Sequence, residues 1–292
     1  MEALLSLSFD NLSSYDQGKI RKGLRQIDGL LAEVCLSSAS PKSAAEKRRS
    51  VIDPGKEPPP LKKLGELGSD PAFREFFKLQ DGFEWNVATR LINCLDRLLG
   101  KSNDGQNDLL IIQTLDLLQG IMLLHPPSRN LFSTESHMNQ LLDLLEPMWC
   151  PAIQSTTIIT LVCALVDTPQ NTRTFENLEG LLAITSAFKS RETTREVKMK
   201  LVEFLYFYLM PETPSIPSAN GTLSVPSMLQ RSPSKLAGAF GRLDTAARKR
   251  ADSESGNTKS TAEKQELLGR FLDGVNDLVA DLQEGHAFGG EV

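Results

Sequence analysis

Histidine is scarce in this chain. There are three in 292 residues, His125, His137 and His286, and none is spaced from a Cys, Asp or Glu in a way that suggests metal ligation. Cysteine is scarce too, and none of Cys35, Cys94, Cys150 and Cys163 belongs to a C-x-x-C pair. A cysteine phosphatase needs arginine six positions after its cysteine, so that the guanidinium cradles the phosphate beside the thiolate. Here those positions hold Pro41, Gly100, Thr156 and Pro169. The chain also lacks a Walker A loop, a glycine-rich kinase loop and a nucleophile elbow. Two carboxylates can meet in space from any spacing, but nothing else in the sequence supports such a pair. The expectation is a protein with no catalytic residues, no cofactor and no metal.

Aromatic residues make up only 6 %, with two Trp and three Tyr, while 40 % of residues are hydrophobic and Leu dominates them. Unbranched side chains lose little rotamer freedom in a helix, so this composition predicts an all-α fold. Basic charge is not in excess: the formal net charge is −5. Phosphate neutralisation needs surplus Lys and Arg, so nucleic acid is not expected as a partner. The opening MEALLSLSFDNL has neither the basic start nor the apolar core of a signal peptide. The longest apolar run, Leu109 to Leu124, is broken by Gln113, Thr114, Asp116 and Gln119. It predicts a buried core helix and no membrane insertion. Three cysteines sit in apolar helical stretches and are expected reduced and buried, which fits a cytoplasmic protein.

What is present is helical periodicity. Ile20, Leu24, Ile27, Leu30, Leu31 and Val34 mark a helix over 17–36. Residues 38–63 then turn rich in Ser, Pro and charge, with seven Lys/Arg against three Asp/Glu, including Arg48 and Arg49. They predict a mobile basic loop. Asp70–Pro71 has the form of an N-cap with Pro at the first helical position, ahead of Phe73, Phe76 and Phe77. Further helices are predicted over about 84–99, 108–124, 134–146, 151–166, 176–189 and 194–210, with Pro127, Pro147, Pro169 and Pro211 at the breaks. The 108–124 helix is apolar nearly all round, so neighbours on several sides are expected. HPPSRNLF (His125 to Phe132) matches TPQNTRTF (Thr168 to Phe175) at an offset of 43 residues. That period is the one of armadillo and HEAT repeats, which stack into curved layers that bind other proteins. The domain expectation is therefore an armadillo/HEAT-like helical domain over 1–210.

Residues 211–259 read as a disordered Ser/Pro-rich linker, and 260–285 as one C-terminal amphipathic helix that docks on its own domain or, detached, on a partner. Ser260 and Glu263 have capping-box spacing. Leu267, Leu268, Phe271, Leu272, Val275, Leu278, Val279 and Leu282 form its apolar stripe, opposite Asp273, Asp277, Asp281 and Glu284. Gly269 and Gly274 weaken it, so it needs a surface to fold on. Ser232, in S-P-x-K form, is the leading candidate phosphorylation site; Thr213, Ser253 and Ser40 are the others. Ladders of Asn and Trp suited to extended peptides are missing, since Trp85 and Trp149 stand alone.

Four long segments carry a resemblance: LLSLSFDNLSSYDQGKIRKGLRQIDGLLAEVCLS, FREFFKLQDGFEWNVATRLINCLDRLLG, QRSPSKLAGAFGRLD and EKQELLGRFLDGVNDLVADLQ. Together they resemble the fungal cell division control protein 14 family of the septation initiation network, over nearly the whole chain. This family is distinct from the dual-specificity phosphatase of the same number, which the failed Cys–Arg spacing also separates. The resemblance implies an armadillo-like protein without catalytic residues. It implies a stable complex with a germinal-centre-type serine/threonine kinase of the septation cascade. It also implies recruitment to the spindle pole body in late mitosis, ahead of septum formation. The other expectation, from the repeat alone, is a generic armadillo-type peptide-binding adaptor.

Overall fold

The computed structural model describes residues 1–36, 64–100, 105–212 and 258–280. Among them every regular element is helical, so the fold is all-α. In order these are α1 (Glu2–Leu12), α2 (Gln17–Leu36), a 3-10 turn (Leu64–Ser69), α3 (Pro71–Gln80), α4 (Val87–Leu99) and α5 (Asp108–Leu124). A second 3-10 segment (Pro126–Ser133) leads to α6 (Glu135–Asp143), α7 (Pro151–Leu165), α8 (Pro169–Asn177), α9 (Gly180–Lys189), α10 (Arg195–Leu209) and α11 (Thr261–Gly269). Residues 275–280 are helical again. No single helix among the described residues is long and apolar enough to cross a membrane.

The helices form two compact units: Met1–Leu131 with Met148–Cys163, and Phe132–Pro147 with Ala164–Val292. These boundaries differ from the expected division at residue 210, because the second unit joins the last repeat helices to 258–280. The expected loop 38–63 and all of 213–257 lie outside the described residues.

In the first unit α1 packs along α2. Periodicity over α2 is clear, and its buried residues are Ile20, Gly23, Leu24, Ile27, Leu30, Leu31 and Val34. Each such leucine or isoleucine contributes about 1.5–3 kcal/mol on burial. Helix α1 is additional to the expected set, although Leu5, Phe9 and Leu12 are spaced for one face and are all buried. Asp70 caps α3 by accepting from Ala72 N at 2.7 Å, with Pro71 at the first position. Asn86 caps α4 by accepting from Thr89 N, which places the start at Val87 instead of residue 84. Gln119 Nε2 ties α5 to α7 through Thr156 O (3.2 Å) and Thr160 Oγ1 (3.0 Å). Helix α5 packs on α2 and α4, and one side stays open: Leu109 is 68 % and Leu123 59 % exposed. With Gln113 and Asp116 they make a narrow solvent stripe opposite eight buried positions.

The 43-residue period extends beyond the matched octapeptides. Leu110, Ile111, Thr114, Leu115, Leu118 and Ile121 of α5 are buried, and so are Ile153, Gln154, Thr157, Ile158, Leu161 and Ala164 of α7 at the same offset. Phe132 and Phe175 are both sealed, as are Leu141 and Ile184 in the following helices. The connector differs between copies. Pro126–Pro127 removes two successive N–H donors and gives a 3-10 segment, whereas the single Pro169 opens an α-helix.

In the second unit α9 packs on α8 and α10, α6 touches α8, and α11 lies on α10. The core holds an aromatic cluster in which Phe175 lies 5.6 Å from Phe204 and 6.5 Å from Tyr208, centroid to centroid. The helix expected over 176–189 begins at Gly180, and α8 fills 169–177, where the sequence predicts a break at Pro169. Glu179, in a left-handed conformation (φ 58), separates α8 from α9. A Cβ at Gly180 would meet the Phe175 ring at 2.3 Å, so only glycine fits there. The C-terminal helix is also interrupted: α11 ends at Gly269, and Gly274 adopts φ 82 before 275–280. Of the cysteines, Cys94 and Cys163 are buried, while Cys35 and Cys150 are half-buried.

Candidate functional site

The second unit contains a buried cluster of charges where 258–280 meets the repeat helices. Helix α8 positions two members, Arg173 and Glu176, one turn apart on its inner face. Their side chains pair Nη1 to Oε2 at 3.1 Å. Arg173 also pairs through Nη2 with Glu212, just beyond α10. The C-terminal segment adds two lysines. Lys259 Nζ reaches Glu176 Oε2 at 2.6 Å, and Lys264 Nζ reaches Glu212 Oε1 at 3.1 Å. Lys264 also donates to the Met210 carbonyl at 2.9 Å and sits 5.1 Å above the Tyr208 ring. Tyr208 donates its hydroxyl to Glu176 Oε1 at 2.7 Å. A pair of backbone contacts completes the arrangement: Lys259 N donates to Glu212 Oε2 at 3.0 Å, and Glu212 N to Lys259 O at 3.3 Å.

Both glutamate side chains are 9 % exposed and that of Lys264 5 %. Charges so far from water are tolerated only when paired and hydrogen-bonded. Two carboxylates here meet three cations, one from the repeat and two from the segment. Burial pulls the Lys264 ammonium down, against the upward pull of Glu212. Burial and the Glu176 hydrogen bond push the Tyr208 phenol up, so it stays a neutral donor. Beside the cluster is a cleft of about 180 Å³ lined by Pro169, Thr172, Phe207 and Pro211 among others. It has no His or Cys to move a proton or attack a substrate.

The apolar half of the segment sits next to this cluster. Leu268 is fully buried, and Val275 and Val279 nearly so, while Leu267, Phe271, Leu272 and Leu278 are half-buried. Lys189 Nζ donates to the Phe271 carbonyl at 2.7 Å. At the start of α11 the capping box is formed: Ser260 N donates to Glu263 Oε2 at 2.7 Å, and Glu263 N to Ser260 Oγ at 3.4 Å. Donation from Ser260 N, and from Ser260 Oγ at 2.8 Å, to Glu263 Oε2 holds the Glu263 carboxyl below its ordinary range. Leu282 and the candidate phosphorylation sites Ser40, Thr213, Ser232 and Ser253 lie outside the described residues.

The first unit brings together a Ser–His–Asp set that sequence reasoning missed. His125, the C-cap of α5, is 1 % exposed. Its Nδ1 lies 2.8 Å from Ser128 Oγ and its Nε2 3.0 Å from Asp81 Oδ1. The Phe77 ring meets it edge-on at 4.5 Å. A nucleophilic triad needs an accessible hydroxyl and a sheltered carboxylate. Here Ser128 is 2 % exposed and the Asp81 side chain 59 %. The order is reversed, and the set clamps the turn after α3 to the end of α5. Burial lowers His125 and Asp81 partly raises it again. The neutral ring donates from Nε2 to Asp81 and accepts from Ser128 at Nδ1. Among the described residues no group of three or more His, Cys, Asp or Glu could hold a metal ion.

Comparison with known proteins gives one family. The family described as "Cell division control protein 14, SIN component" matches residues 1–288. The "Cell division control protein 14" of Schizosaccharomyces pombe is 30 % identical over 224 residues, 74 % of this chain and 82 % of that protein. No solved structure matches.

Proposed function

Because the chain belongs to the cell division control protein 14 family of SIN components, we propose that it is a non-catalytic regulatory subunit or scaffold of a germinal-centre-type serine/threonine kinase in the septation initiation network. Membership itself supports a role in septation and cytokinesis. The observation that carries the finer reading is the whole-chain match, joined to a burial pattern that recurs once at an offset of 43 residues. Helical repeats of this kind stack into extended surfaces that hold partners. The inverted Ser–His–Asp burial supports the non-catalytic part of the reading. In this reading the repeat is armadillo-like, and the protein works in the cytoplasm and at the spindle pole body in late mitosis. Its effect is on the kinase's activity, stability or location.

The test is affinity capture of the tagged full chain from dividing cells, with quantification of what it holds. One kinase at near-equal amount is the expected result. A spread of unrelated cargo proteins and no kinase would replace this reading with a generic armadillo-type adaptor. Phosphoester hydrolysis by the purified chain that a Cys94→Ser or Cys163→Ser change abolished would overturn the non-catalytic part.

A further inference from the structure

The segment 258–280 sits on a surface with two distinct demands. The polar half, made by Arg173, Glu176, Tyr208 and Glu212, holds two buried carboxylates and one arginine. It needs at least one more cation to balance, which the segment supplies from Lys264 and Lys259. The apolar half receives Leu268, one turn after Lys264, then Val275 and Val279. The segment's own fit is incomplete: Leu267, Phe271, Leu272 and Leu278 stay partly exposed while docked. Its intrinsic order is low as well. Nine residues of α11 are too few for a stable isolated helix, and Gly274 separates them from the helical turn at 275–280. The surface therefore shapes the segment more than the segment shapes itself.

We propose that this surface is a helix-binding seat, filled by the chain's own segment at rest, that takes in exchange an amphipathic helix of a partner carrying Lys or Arg four positions ahead of a buried leucine. The spacing is the one that Lys264 and Leu268 satisfy now. The seat's remaining charge is negative once the two lysines leave, so an acidic or uncharged helix is rejected by the cost of leaving buried carboxylates unpaired. A helix with more intrinsic order displaces the segment because it gives up less conformational freedom on docking than nine residues too short to hold a helix alone. This goes beyond the kinase reading and does not depend on which protein the partner is.

The experiment uses the full chain and a fluorescein-labelled synthetic peptide covering 258–283. Lys259→Met/Lys264→Met in the chain removes the segment's cations and keeps the seat intact. Hydrogen exchange in 261–280 should then quicken at least tenfold, with α4 and α5 unchanged as the folding control. That variant should bind the peptide at least tenfold more tightly than the unaltered chain, whose seat is occupied. Leu268→Asp releases the segment from its apolar side and should give the same capture, so a local folding effect of the lysine changes is not mistaken for release. A peptide with Lys264→Ala or Leu268→Ala should lose at least tenfold. Unchanged exchange in the released variants, no capture despite fast exchange, or equal capture of the Lys264→Ala peptide would each overturn the proposal.

Discussion

Gly180 gives the sharpest test of how the second unit is packed. It opens α9 directly beneath Phe175, a fully buried ring. On helix propensity alone Gly180→Ala would gain up to about 1 kcal/mol. The structure reverses that sign. The added methyl would stand 2.3, 2.4 and 2.7 Å from three atoms of the Phe175 ring, inside any real carbon contact. The ring cannot step aside, since Phe204 and Tyr208 pack around it. Overpacking of this kind costs about 1–3 kcal/mol, and that is the expected net destabilisation in urea unfolding followed by circular dichroism. The second arm is Phe175→Leu, which removes the atoms the methyl strikes. Alone it destabilises by loss of ring packing. Combined with Gly180→Ala it should cost less than the sum of the two, by at least about 1 kcal/mol of coupling. Additive behaviour, or a Gly180→Ala variant as stable as the parent, would refute the close approach on which the α8–α9 junction is built.

The charge clusters and the cap of α11 set further expectations. Arg173→Met removes one of three cations but leaves Glu176 paired with Lys259 and Glu212 with Lys264. In unfolding it should therefore destabilise by less than the about 3–5 kcal/mol of leaving a buried charge unpaired. Arg270→Ala, whose pair with Glu266 is mostly exposed, should change stability by less than about 1 kcal/mol. Ser260→Ala removes the reciprocal cap and should weaken α11 by about 1 kcal/mol, read as faster hydrogen exchange confined to 261–280. His125 sets a pH dependence. Its folded-state pKa lies below the ordinary 6.5, so the unfolded chain binds the proton more tightly. Its stabilisation is complete above about pH 6.5 and is lost as pH falls through the lowered value. His125→Asn should flatten the fall in stability between about pH 7.5 and 5 and lower stability at the upper end. A steeper fall in the variant would contradict the assigned direction.

Much of this architecture is legible in the sequence because it is written in local pattern. Asp70–Pro71 fixes a helix start through capping geometry and a missing donor, and Pro127, Pro147 and Pro211 fall outside the α-helices as expected, because these are properties of a few neighbouring residues. The period of 43 residues survives in burial because each copy must present the same face. Helix α1 is hard to see because Leu4 and Leu7 on its exposed side blur the apolar spacing, which covers only three turns. The 176–189 and 260–285 stretches look continuous since hydrophobic periodicity runs straight through Glu179 and Gly274. Their positive φ angles answer to tertiary contacts that periodicity does not carry. The two clusters are illegible for a related reason. Ser128 stands three residues from His125, but Asp81 comes from a different helix end. Arg173 and Glu176 are ordinary neighbours on a helix until Glu212, Lys259 and Lys264 converge on them from far along the chain.

The polar half of the seat also answers a question that its apolar half leaves open, which is how the segment finds one alignment. Leucine and valine side chains slide against an apolar surface at little cost, because the hydrophobic effect has no direction. A buried carboxylate tolerates no such freedom. Lys264 satisfies Glu212 and the Met210 carbonyl from one point on α11, and one residue further along the helix the side chain points about 100° away. Lys264→Leu with Gln265→Lys keeps the net charge and moves only the point from which the cation reaches. The pair of changes should speed hydrogen exchange in 261–280 as much as a parallel Lys264→Met single variant, because the relocated ammonium no longer reaches Glu212. If the relocated lysine preserves slow exchange, the cluster acts through net charge alone, and the fixed spacing between cation and buried leucine has no part in seating the segment.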